Sequence, residues 1–190
     1  MTLKGWEGVI NRFLEFDKKV SDRIETIYYS KIVVSPISFI GSIYFSILYI
    51  SLLFLAGYLL KNQELLKTSL LASLALLLST IIVFFMKWTF KRKRLARPSD
   101  PLINKIDPYS FPSGHLARIG GFITTSYLYP VICLSFVIAA VITSFIRIKK
   151  RYHFFSDCAA GLFVGGICGF SALLWIDIVE AIAVQILTMR

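Results

Sequence analysis

The chain contains two histidines, and both stand in short polar strings inside an otherwise oily sequence. His115 closes Pro112-Ser113-Gly114-His115, and His153 lies in Arg147-x5-His153-x3-Asp157. Imidazole is the side chain best suited to nucleophilic and acid–base work near neutral pH. Cleaving a phosphoester needs a nucleophile, an acid for the leaving group, and fixed positive charge for the phosphoryl oxygens. The two strings hold a candidate for each part. His153 and Asp157 are four apart and share a face at a helix start, so the carboxylate can hold one ring nitrogen as donor and leave the other free to attack. Arg147 offers a forked guanidinium to a phosphoryl group. Ser113 and Gly114 open a predicted helix whose free N–H groups and positive dipole end favour an anion. His115 is then placed to protonate a departing oxygen.

The elements that must bring these residues together are set by composition. At 190 residues, 56% of them hydrophobic, with a mean hydropathy of +0.71, the chain is one domain whose apolar surface is expected to face lipid. We expect an all-α integral membrane bundle of about five transmembrane helices, over about 32–60, 68–86, 114–129, 131–146 and 154–176. An N-terminal amphipathic helix over 1–30 precedes them, either lying at the membrane interface or docked on the polar end of the bundle. The charges spread through its first 29 residues read as no cleavable signal peptide. Lys61–Glu64 reads as a short turn, and Pro98–Phe111 as a loop. Gly161, Gly165 and Gly169 form a small-residue stripe suited to close helix packing. The apolar stretch from Ser113 to Arg147 is decisive. Read as one helix, it separates the two histidine strings by roughly 50 Å, at about 1.5 Å per residue. For them to share a site, the chain must turn near Pro130 and form a hairpin.

With these residues in view, Pro112-Ser113-Gly114-His115 and Arg147-x5-His153-x3-Asp157 resemble the second and third signatures of the PAP2 (type 2 phosphatidic acid phosphatase) superfamily. The resemblance spans Lys87 to Gly169. It implies a helical membrane phosphatase working through a phosphohistidine, with no metal or other cofactor. By match, His153 would be the nucleophile, Asp157 its orienting partner and His115 the general acid, with Arg147, Ser113 and Gly114 binding the phosphoryl group. Ile146 stands where the family usually has serine. The first signature, Lys-x6-Arg-Pro, fits imperfectly: Lys87-x6-Arg94 lacks the proline, and Lys91-x5-Arg97-Pro98 is one residue short. Arg97 is favoured for the arginine, and the lysine is left open. The string from Asp107 through Arg118 is similar to the branch that acts on polyisoprenoid diphosphates, where a second cation at Arg118 would suit a diphosphate. Arg118 snorkelling to the interface is an equal alternative.

The expected partners are the bilayer and a membrane lipid phosphate: a polyisoprenoid diphosphate, phosphatidic acid or phosphatidylglycerophosphate. Lipid phosphotransfer and non-catalytic lipid binding are the alternatives. The net charge of +10 borders apolar spans, so it reads as topology and phosphate contact, with no nucleic acid expected. Cys133, Cys158 and Cys168 lie in apolar stretches without CxxC spacing, which points away from a structural zinc site. Seventeen of the 21 Lys and Arg residues fall on the motif-bearing face. The positive-inside rule therefore places the expected site on the cytoplasmic side of the cell membrane. The sequence leaves oligomeric state open.

Overall fold

A computed structural model of the chain describes residues 3–26, 39–96 and 107–188. Among these residues it contains seven helices: α1 (Leu3–Glu25), α2 (Ile43–Leu59), α3 (Gln63–Phe90), α4 (Gly114–Thr125), α5 (Pro130–Lys149), α6 (Phe155–Leu173) and α7 (Ile176–Thr188). The described residues carry no strand, only an isolated antiparallel bridge between Lys93 and Tyr109. Three helices, α3, α5 and α6, are long and apolar enough to cross a membrane, and α2 is a shorter apolar helix. Large side chains such as Leu52, Phe85, Val141, Phe163 and Phe170 point outward on this bundle. In a soluble protein such a surface would aggregate; here it meets lipid, and the protein is an integral membrane protein.

The helix boundaries follow local chemistry. Ser42 caps α2 by accepting the Phe45 N–H at 3.1 Å, and Asn62 caps α3 by accepting that of Leu65 at 3.1 Å. Between α2 and α3, Lys61 takes a left-handed conformation (φ +51°). The α4–α5 hairpin forms where the sequence requires it. Tyr129 N–H donates to the Ser126 carbonyl at 2.9 Å, and Pro130 opens α5, where its missing N–H costs nothing.

The observed ends depart from the expected spans in instructive ways. α3 runs past 68–86 in both directions and, at 28 residues, is about 42 Å long, longer than a hydrocarbon core of about 30 Å. α4 is only 12 residues and stops at Thr125, short of 129. The helix expected over 154–176 ends at Leu173, and α7 follows as a separate element packed on α3 through Leu71, Ala75 and Val179. Residues 32–38 of the first expected span lie outside the described residues.

α4 is the centre of the bundle, contacting α3, α5 and α6. Leu116, Ile119 and Phe122 are fully buried on it. Phe122 packs on Phe136 and Tyr49 at centroid distances of 5.4 and 5.1 Å, and the Tyr49 hydroxyl pairs with Ser126 Oγ at 2.9 Å. Between helices in lipid the hydrophobic effect supplies little, so close backbone packing must hold them. The glycine stripe does this. A Cβ at Gly161 would collide with the Ser113 carbonyl, and one at Gly165 with the Ala117 carbonyl. The stripe thus presses the start of α6, with Asp157, against the start of α4, with His115.

α1 packs on the end of the bundle. A polar pair, Asp17 and Ser21, is buried against the bundle's end, while the apolar Phe13 and Phe16 remain exposed. The helix docks by its polar stripe and leaves an apolar one outward.

Candidate active site

The C-terminal ends of α3 and α5 and the N-terminal ends of α4 and α6 meet at one end of the bundle. There they enclose a cavity of about 820 Å3 lined by His115, Arg147, His153, Lys87, Arg94 and Arg118, among others. Gly114 lines it too. Both histidines therefore share one chamber, as the turn at Pro130 requires. Ser113 sits just behind the wall, fully buried. Its N–H donates to the Asp157 carbonyl at 2.9 Å, and its hydroxyl has no partner among the described residues.

His153 lies in the turn between α5 and α6 and is 3% exposed. Its Nδ1 is 2.8 Å from the Ser110 carbonyl, which can only accept, so Nδ1 carries the proton. Nε2 is left with its lone pair. The carboxylate of Asp157 stands 3.6 Å from the same Nδ1, outside hydrogen-bond range. The nearest contact on Nδ1 is thus the backbone carbonyl of Ser110, which sequence reasoning missed because any residue supplies a carbonyl. Asp157 Oδ2 instead accepts the Phe154 N–H at 2.9 Å, and Oδ1 accepts from Arg92 at 2.7 Å. Burial pushes His153 down to about 4, although Asp157 pulls the other way. The imidazole is therefore neutral at physiological pH.

His115 opens α4, with its Nε2 in contact with the Arg147 guanidinium and its Nδ1 3.5 Å from Arg118 NH2. Arg118 also donates from Nε to the Gly41 carbonyl at 2.7 Å. Arg118 thus lines the cavity beside His115. Arg147 Nε is buried without a partner among the described residues. Together with the Ser113 hydroxyl, it is a buried donor of the kind an anion would satisfy.

For the first signature, the structure brings Lys87 and Arg94 to the cavity. Lys87 Nζ reaches Asp107 Oδ1 at 2.5 Å, and Arg94 NH2 reaches Oδ2 of the same carboxylate at 2.8 Å. Both also donate to the Tyr109 carbonyl, at 3.1 and 3.3 Å. Lys91 does not join them: it ends α3 in a left-handed conformation (φ +48°) with its side chain in the open. The physical reason is the end of the helix: in phase Lys91 would share the face of Lys87, but it is the left-handed C-cap, where α3 stops. Arg97 lies outside the described residues. Asp107 is only half-buried; that burial alone would raise its pKa, but Lys87 and Arg94 outweigh it and hold the carboxyl lower than usual. It is a carboxylate standing between two cations, a role that its place at the start of the string running to Arg118 did not reveal.

Among the described residues no group of three His, Cys, Asp or Glu side chains is arranged to hold a metal ion. Cys158 and Cys168 are buried in the bundle, and no described cysteine is bonded to another.

The fold has counterparts. The chain is similar to the crystal structure of Aquifex aeolicus LpxE (TM-score 0.64, 21% identity, covering 82% of this chain and 93% of that one). It is also similar to a transmembrane PAP2-type phosphatidylglycerolphosphate phosphatase from Bacillus subtilis (TM-score 0.70, 19% identity, covering 88% and 87%). At these identities the likeness is one of fold. No curated protein matches the chain. Residues 68–180, more than half of the chain and including both histidine strings, match the PAP2 superfamily. The chain belongs to the PAP2 superfamily and is a membrane phosphatase.

Proposed function

We propose that the protein hydrolyses a phosphate monoester or diphosphate of a membrane lipid through a phosphohistidine on His153, without a metal. The observation that carries this reading is the pairing in one cavity of a neutral, Nδ1-held His153 with His115 and four cationic side chains. Nε2 attacks phosphorus, a P–N bond forms, and the P–O bond to the leaving group breaks. His115 gives the departing oxygen its proton. Water, deprotonated by His115, then attacks the phosphohistidine and releases inorganic phosphate. Arg147, Lys87, Arg94 and Gly114 line the cavity that would receive the phosphoryl oxygens, with the unpartnered Ser113 hydroxyl just behind its wall, and fixed donors of this kind stabilise the charge that develops there.

The cavity extends between the start of α2 and Ser79–Trp88 of α3. Tyr44, Phe84 and Trp88 rim that gap and are themselves exposed on the apolar flank. Acyl or prenyl chains would pass through it and stay in lipid while the head group enters. Polyisoprenoid diphosphate, phosphatidic acid and phosphatidylglycerophosphate all fit this description, and Arg118 inside the cavity favours the diphosphate. The Lys and Arg excess on the motif-bearing face supports a cytoplasm-facing site in the cell membrane. Reporter fusions in the Lys61–Glu64 loop and at Arg190 test that sidedness, and cytoplasmic signals from both contradict it.

The activity is tested by phosphate release from a panel of lipid phosphates by purified protein in EDTA, with His153→Ala as control. Release in EDTA that the substitution abolishes supports the reading. Strict metal dependence, or full activity in the variant, refutes it.

A further inference from the structure

A buried carboxylate lies outside the cavity and outside every motif of the sequence. Asp17 of α1 is 2% exposed. Its Oδ1 accepts the Ser156 N–H at 2.9 Å, and its Oδ2 accepts from Ser156 Oγ and Arg92 NH2, each at 2.6 Å. One turn on, Ser21 Oγ accepts the Phe155 N–H at 3.2 Å. The N-cap position of α6 is Phe154, whose ring has no acceptor, so the Phe155 and Ser156 N–H groups of its first turn are capped from another helix.

Arg92, two residues past α3, links this cap to His153. Its NH1 donates to Asp157 Oδ1 and to Ser156 Oγ, both at 2.7 Å, and its guanidinium lies 3.7 Å from the centre of the Phe154 ring. Its carbonyl accepts the Ser110 N–H at 2.8 Å, and Ser110 is the residue whose own carbonyl holds His153. Arg92 is not among the cavity's lining residues. Two routes therefore run from it to the imidazole, one through the backbone of Ser110 and one through the carboxylate of Asp157.

We propose that Arg92 and Asp17 are positioning residues for His153, which makes α1 part of the catalytic apparatus as well as a surface helix. This rests on His153 being the nucleophile. The physical argument is a competition for Nδ1–H. The Ser110 carbonyl holds it at 2.8 Å while Asp157 waits at 3.6 Å. A carboxylate is the stronger acceptor, so it stays off the imidazole only because Arg92 and the Phe154 N–H occupy its oxygens. Without Arg92, Oδ1 is a buried anionic acceptor missing its partner. Asp157 then swings to capture Nδ1–H, and Nε2 is re-aimed away from phosphorus. Asp17 keeps Arg92 in place by neutralising it and fixing its second nitrogen.

The test uses the full chain with Arg92→Gln, Asp17→Asn, Asp157→Asn and the double variant Arg92→Gln/Asp157→Asn, with His153→Ala alongside. A misplacement of about 1 Å costs about 100-fold in rate, so Arg92→Gln should lower kcat by that order while KM changes less than about threefold. Asp17→Asn, nearly isosteric and still able to accept from Ser156, should lose about tenfold in kcat, and it carries the test if the arginine variant fails to fold. In the Asp157→Asn background, Arg92→Gln should cost nothing more, because the competing carboxylate is already gone. Wild-type kcat in both single variants, a change confined to KM, or an undiminished loss in the double variant overturns the proposal. Full activity in His153→Ala overturns the reading of the site itself, a separate result.

Discussion

His153 gives its Nδ1 proton to the Ser110 carbonyl at 2.8 Å, while the carboxylate four residues along its own chain, Asp157, stands off at 3.6 Å. The tautomer that leaves Nε2 free is thus fixed by a backbone group. Asp157 is left to brace the turn through Phe154 and Arg92. Asp157→Asn should accordingly retain measurable turnover, with kcat reduced by about 10- to 100-fold, less than the roughly 100- to 10,000-fold that loss of a general acid or base costs. Steady-state phosphate release checks this, and activity as low as that of His153→Ala contradicts it.

The pH profile follows from the burial of His153. Its folded pKa, about 4, lies below the unperturbed value near 6.5, so the neutral nucleophile persists as pH falls through 6 and is lost only near 4. After correction for the substrate's own second ionisation near 6, the acid limb of kcat/KM due to the nucleophile should fall near 4. A limb near 6.5 assigned to His153 by NMR titration contradicts the burial argument.

Lys87 and Arg94, not Lys91, should carry phosphate affinity. Lys87→Ala and Arg94→Ala each remove a charge-assisted contact of about 1.5–3 kcal/mol and should weaken substrate binding roughly tenfold or more. Lys91→Ala should leave KM and kcat unchanged. Comparable losses in all three would show that the cavity assignment is wrong.

Arg118 should discriminate among head groups. Arg118→Gln, measured on a prenyl diphosphate and the matching monophosphate, should lower kcat/KM more for the diphosphate. Equal losses on the two substrates would assign Arg118 only to the ring of His115.

The packing of α4 on α6 sets the distance between the two histidine strings. Gly165→Ala forces a methyl into the Ala117 carbonyl, and overpacking of this kind costs about 1–3 kcal/mol. Thermal unfolding in detergent should show a lower midpoint, with activity falling in parallel. An unchanged midpoint shows that the helices have room to spare.

What the sequence made legible was governed by periodicity and by side-chain chemistry. Both histidine strings, the hairpin at Pro130 and the glycine stripe could be read because each depends on residue type at fixed spacing. Ser110 could not, since its carbonyl has no signature. Asp17 and Arg92 were hidden for a different reason: one acid and one base among many in charged segments, joined across 75 residues by tertiary packing alone. The choice between Lys87 and Lys91 turned on where α3 ends, and a helix terminus is poorly marked when Lys and Arg continue past it.

The central claim is covalent chemistry at His153. Rapid quenching of the protein during turnover of a lipid phosphate labelled with 32P tests it most directly. The label should appear in an acid-labile, base-stable linkage on the peptide containing His153 and be absent from His153→Ala. Label on a different residue, or turnover undiminished in His153→Ala, contradicts the account.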